Sequence, residues 1–145
     1  MTHSKYCPCC SADFGLFLIR LALAAVFIAH GAQKLGDMDK VAGFLAMFGI
    51  PAVLAWVLAL GELFGGIAML FGVFTKYAGV VLAFIMAIAI WKVKAKAGFF
   101  GGWEFDLTLL LLSLAVISIG PGKFALKRGS HCCEDACKND CSIKK

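Results

Sequence analysis

Four apolar stretches, each parted from the next by a short polar or glycine-bearing joint, dominate the chain. Residues 14–35 read FGLFLIRLALAAVFIAHGAQKL, and residues 50–74 read IPAVLAWVLALGELFGGIAMLFGVF. Residues 77–93 read YAGVVLAFIMAIAIWKV, and residues 103–120 read WEFDLTLLLLSLAVISIG. Each approaches the roughly 20 residues that cross a hydrocarbon core of about 30 Å. The third and fourth are short, so their ends are soft.

The joints carry their own signals. GDMDKVAGFLAMFG, after the first stretch, is too polar at its start to cross a membrane. Val41, Phe44, Leu45 and Phe48 follow i, i+3, i+4, i+7 and predict a short helix lying in the interface. Gly49 and Pro51 then break the chain before the second stretch, where proline suits a first helical turn. Only Thr75 and Lys76 are clearly polar between the second and third stretches, so those helices should be antiparallel neighbours. AKAGFFGG separates the third from the fourth, and Gly120-Pro121-Gly122 stops the fourth. The fold class expected is all-α: an integral membrane antiparallel four-helix bundle with a short interfacial helix between spans one and two. The divisions are an N-terminal tail at 1–13, a transmembrane domain at 14–122 and a C-terminal tail at 123–145.

Composition agrees with lipid as the solvent. Hydrophobic residues make up 61% of the chain and charged ones 16%, with a mean hydropathy of +0.89. A soluble domain is nearer half apolar and a quarter charged. Four spans return both termini to one side. That side carries Lys5, Lys76, Lys123, Lys127, Arg128, Lys138, Lys144 and Lys145, against Lys34, Lys40, Lys92, Lys94 and Lys96 on the other. The positive-inside rule therefore favours a multi-pass protein of the cell membrane with both termini cytoplasmic, although WKVKAK weighs against it. The net charge of +5 reads as topology, and nucleic acid is not an expected partner. The first stretch lacks a small-x-small cleavage site and reads as a retained span, not a signal peptide.

Several of these segments resemble the DoxX family of small membrane proteins. The resemblance is carried by RLALAAVFIAHGAQKL, FGIPAVLAWVLALGELFGGIAMLFGVFTK and GGWEFDLTLLLLSLAVISIGPGKFAL. Within them an Arg in the first helix, HGxxKL, GIP, GExxGG, GGWE and GPG keep the family's order and spacing, from about Gly15 to Leu126. It implies a four-helix membrane protein associated with redox chemistry, since family members are linked to thiosulfate:quinone oxidoreductase and to membrane oxidoreductase assemblies that handle thiol stress. The cysteine-rich tails depart from the family pattern and are read on their own.

Ionisable residues inside the spans are the first candidates for chemistry. A lone carboxylate near the centre of a span costs about 2.5–3.5 kcal/mol, so Glu62 needs a partner, a proton or a place inside the bundle. At about 1.5 Å per residue from the outer ends of the spans, Glu62 lies roughly 18 Å deep, Arg20 roughly 22 Å and His30 roughly 8 Å. Depth thus selects Arg20 as the partner of Glu62, with Lys34, Glu104 and Asp106 near the outer boundary. Arg20, His30, Lys34, Glu62, Glu104 and Asp106 are read either as a polar network fixing helix packing or as the lining of a quinone headgroup site or proton path. Assembly with a partner subunit is a third use. Gly61, Gly65 and Gly66 allow close helix approach under any of these. Trp56, Trp91 and Trp103 are expected at the interface or facing lipid.

All seven cysteines lie in the tails: Cys7, Cys9 and Cys10 at one end, Cys132, Cys133, Cys137 and Cys141 at the other, with His131 beside them. On a helix Cys133, Cys137 and Cys141 would share a face, with Cβ atoms about 5–6 Å apart. That is wide for a disulfide and suited to thiolates converging on one metal. Cytoplasmic tails would favour metal or redox roles over structural disulfides. Thiolates select Cu(I), zinc or an iron–sulfur cluster, but these spacings match neither the usual zinc pairs nor ferredoxin runs. Neighbouring Lys5, Lys127, Lys138 and Lys144 would activate the thiols for a metal or for exchange, the remaining alternative being a flexible tail without a defined site. Two functions follow. One is a membrane protein of thiol, sulfur or quinone redox chemistry, a subunit of or partner to an oxidoreductase, with the tails exchanging thiols or holding metal. The other is a non-enzymatic soft-metal-binding or assembly protein anchored in the lipid bilayer. A transporter is weaker, because four short helices enclose little space unless they form a homo-oligomer. Outside the cysteines no residue reads as a catalytic nucleophile, so whether the chain is an enzyme is open.

Overall fold

A computed structural model describes residues 8–94, 98–122 and 124–126. Its elements are α1 (Pro8–Gly36), α2 (Met38–Ala46), α3 (Ala52–Phe71), α4 (Thr75–Ile88) and α5 (Glu104–Ile119). Two π-helical segments, Ala89–Lys94 and Phe99–Trp103, lie between α4 and α5. Among the described residues there is no strand.

Three helical stretches are long and apolar enough to cross a membrane: Asp13–Gly36, Ala52–Phe71 and Thr75–Lys94. These match the first three expected spans to within a few residues. The third is completed by the π-helical segment that continues α4. The fourth, α5, has 16 residues, is followed by Gly120 and is shorter than the other three. Phe64, Phe84 and Leu111 stay exposed on α3, α4 and α5, giving apolar outer faces that suit hydrocarbon.

Close contacts fix the directions and register of the helices. Gly31 of α1 faces α3 so tightly that a Cβ there would lie 2.7 Å from the Leu63 backbone nitrogen. Gly66 of α3 meets Ile28 of α1 in the same way. Residue numbers rise on one helix as they fall on the other, so α1 and α3 are antiparallel. Likewise Gly61 faces Ile85 while Met69 faces Gly79, which makes α3 and α4 the antiparallel neighbours expected from their short connection. Gly79 meets Ile117 of α5, and Lys94 meets Asp106, so α4 and α5 also run in opposite directions. Leu23, Ala24, Phe27, Met69, Leu82, Leu109 and Val116 form the buried centre of this arrangement.

The helix expected after the first span is present as α2. Phe48 falls beyond its last turn, its ring 5.1 Å from that of Phe44. The apolar face of α2 is turned onto the other helices, where Leu45 is buried.

Candidate functional site

One end of the molecule encloses a cavity of about 380 Å³. Its walls are mostly apolar: Phe27 of α1, Leu58 of α3, Met86 of α4 and Leu109 of α5, with Val41, Phe44 and Leu45 of α2 covering one side. The ionisable groups His30, Lys34, Lys40, Glu62, Lys94 and Asp106 also line it. A small polar set in an otherwise apolar hollow of a few hundred Å³ is the usual form of a small-molecule site.

Four of these six groups form two lysine–carboxylate pairs. Lys34 Nζ donates to Glu62 Oε1, joining α1 to α3. The Glu62 side chain is 1% exposed and that of Lys34 26%, so the carboxylate is buried and the ammonium reaches it from the mouth. Among the described residues, Glu62 Oε2 is the buried side-chain oxygen without a hydrogen-bond partner. The second pair is balanced differently. Lys94 Nζ stands 3.0 Å from each oxygen of Asp106, so both acceptors are met by one ammonium. His30 borders the cavity with its ring 6.2 Å from that of Phe105.

The π-helical segment explains how Lys94 enters. A π-helix closes its bonds from i to i+5, so residues five apart return to nearly the same side. Ala89 and Lys94 stand in that relation, and both line the cavity. An α-helix would carry residue 94 about 140° beyond residue 89.

The pairing of Arg20 with Glu62, expected from depth, is not what the structure forms. Arg20 is 1% exposed at the opposite end, where Nε donates to Met69 O at 3.1 Å and Nη2 to Leu70 O at 3.4 Å. Nη1 donates to Pro121 O at 2.9 Å. The last carbonyls of an α-helix have no partner within it, and Met69 and Leu70 lie in the final turn of α3. The guanidinium therefore caps α3 and ties it to the chain leaving α5. Counting depth from span ends assumes that α1 and α3 start level. The Gly31–Leu63 and Gly66–Ile28 contacts instead set Lys34 beside Glu62 and Arg20 beside the end of α3.

Of the six ionisable candidates, the structure brings His30, Lys34, Glu62 and Asp106 to one cavity. Arg20 lies at the far end, and Glu104 opens α5 without lining the hollow. Lys40 and Lys94, counted from sequence only among the outer-side charges, are the lining residues that spacing missed. No periodicity marks a π-helical turn, and the apolar run before Lys94 reads equally well as ordinary helix.

The roots of the two tails lie together at the Arg20 end. The rings of Phe17 and Phe124 are 5.7 Å apart, and Leu126 N donates to Phe71 O at 3.1 Å. Cys9 and Cys10 fall in the first turn of α1. The proposed ligands Cys7, His131, Cys132, Cys133, Cys137 and Cys141 lie outside the described residues. Among the described residues, no group of three or more His, Cys, Asp or Glu side chains converges as a metal site would require.

Comparison with known proteins gives a consistent picture. The DoxX family model matches residues 15–95. A Bacillus subtilis (strain 168) protein named "Putative oxidoreductase CatD" is 37% identical over 116 residues, covering 80% of this chain and 87% of the relative. A Mycobacterium tuberculosis protein, "Uncharacterized membrane protein Rv3486", is 32% identical over 126 residues, covering 76% and 77%. An uncharacterized Haemophilus influenzae protein is 28% identical over 120 residues, covering 77% and 80%. No solved structure matches.

Proposed function

Since the chain belongs to the DoxX family, we propose that it is a multi-pass protein of the cell membrane that serves redox chemistry as a subunit or partner of an oxidoreductase. In this reading α1, α3, α4 and α5 form a four-helix membrane bundle, and the cavity between them seats the headgroup of a lipid-soluble carrier of the quinone type. The observation that carries it is the placement of two lysine–carboxylate pairs and His30 in one apolar hollow between helices that suit lipid. Carbonyl oxygens of such a headgroup would accept hydrogen bonds from Lys34 and Lys94, each of which has three donors. An imidazole lining the same cavity as buried carboxylates is equipped to pass protons as a carrier changes redox state. The name of the Bacillus relative points towards the same class of chemistry.

Lys34 and Lys94 are held by carboxylates inside the cavity. Cytoplasmic termini are proposed from the sequence alone, with eight basic residues on the tail side against five on the other. The cysteine tails, rooted side by side at that end, are proposed as arms for thiol exchange or a soft metal. Anaerobic purification with elemental analysis and thiol counting tests them: metal near one per chain should vanish when Cys133, Cys137 and Cys141 become Ser.

The cavity reading is tested by photolabelling the full chain in lipid nanodiscs with an azido-substituted quinone and mapping the adducts. Labelling should concentrate around residues 27–45 and 86–109 and be competed by unlabelled quinone. Adducts confined to the outer faces, or adducts that excess quinone does not displace, would overturn the reading.

A further inference from the structure

Glu62 Oε2 gives the cavity a chemical preference that its shape alone would not. The carboxylate is nearly completely buried, and its other oxygen is taken by Lys34. As the partner of an ammonium, it is an acceptor at both oxygens and can donate at neither. A buried acceptor left unmet carries a desolvation cost, so whatever fills the cavity binds best if it brings a donor to that point. Asp106 makes no such demand, because Lys94 already serves both of its oxygens.

We infer that the cavity selects the hydroxyl-bearing, reduced form of its carrier, a hydroquinone, over the oxidised form, which carries only carbonyls. The inference rests on the quinone-type reading above and adds the redox state that the site holds. A hydroquinone can donate one O–H to Glu62 Oε2 and accept from lysine through another oxygen. A quinone can accept from Lys34 or Lys94, but leaves Oε2 without a donor. A hydroxyl facing a carboxylate also forms one of the stronger kinds of hydrogen bond. Only binding is at issue here, and no electron transfer within this chain is implied. A site built around a substrate's donor rejects the analogue that lacks it, because its own polar group is then stranded.

The test is anaerobic equilibrium binding of a matched pair, a benzoquinone and its hydroquinone, to the full chain in nanodiscs. The ring is fully substituted, so that it cannot add the cysteine thiols, and carries a short alkyl tail. The hydroquinone should bind roughly tenfold more tightly, the scale of one stranded buried acceptor. In Glu62→Gln the amide can present N–H where Oε2 stood, so the ratio should fall to parity or invert towards the quinone. Equal affinities in the wild type, or a tighter quinone, would overturn the inference while leaving the carrier reading intact. Failure of both forms to bind would remove the carrier reading and this inference together. Should the Gln variant not accumulate, the wild-type ratio alone decides.

Discussion

The two ends of this molecule handle buried charge in opposite ways. At the tail end each nitrogen of a guanidinium donates to a backbone carbonyl, and the group ties the end of α3 to the chain leaving α5. At the cavity end, ammonium groups meet carboxylates, and one carboxylate oxygen remains over. The first arrangement leaves no buried nitrogen without a partner, whereas in the second, on the function proposed above, a bound carrier would meet the remaining oxygen. Intramembrane charge is therefore not one category: the partner of each group, more than its depth, separates a clamp from a site.

Variants at each end should divide cleanly along that line. The largest effect is expected from Lys34→Met, which strands the buried Glu62 carboxylate at a cost of about 3–5 kcal/mol, read as a fall in thermal stability in nanodiscs. Adding Glu62→Met should recover most of that stability but not competed photolabelling of the cavity. A double variant that still labels would show that the pair only supports packing. Next comes Arg20→Met, which takes donors from three carbonyls and should cost about 3 kcal/mol, on a scale of about 1–3 for each stranded group. Its labelling should survive, and loss of labelling with the fold intact would break the distinction between the ends. Gly72→Ala tests the same clamp more gently. Gly72 has a φ of 72°, and a Cβ there would collide with Arg20 and lie 2.7 Å from Ala125 Cα, so about 1–2 kcal/mol should be lost. The smallest stability effect, under about 1 kcal/mol, is expected from Lys94→Gln, because that pair is partly open to solvent. Weaker labelling with near-normal stability would place Lys94 with the site.

How far the sequence reaches can be judged from these same residues. The first three spans, the short helix at 38–46 and the antiparallel turn at Thr75 follow from hydropathy and period, because lipid and the helix repeat leave little choice. The membership of His30, Lys34, Glu62 and Asp106 in one polar set is also legible, since ionisable groups within spans must find partners. Which group pairs with which is not. That depends on the slide of α1 along α3, set by backbone contact at Gly31 and Gly66, and no rule of depth contains that slide. Lys94 escaped for a related reason: its direction depends on the hydrogen-bond step of the helix that carries it, to which composition is indifferent.

The π-helical stretch at Ala89–Lys94 has a further meaning when viewed as counting. A helix that closes at i+5 accommodates more residues per turn than its α-helical continuation, so this stretch in effect stores slack in the chain. Gaining or losing one residue here would act as a dial more than a break. It would swing Lys94 around the axis while the seam between Gly79 and Ile117, a few turns earlier, kept its place. The charge lining the cavity can thus be retuned by chain length alone, while the glycine contacts that set the helix register keep their residues.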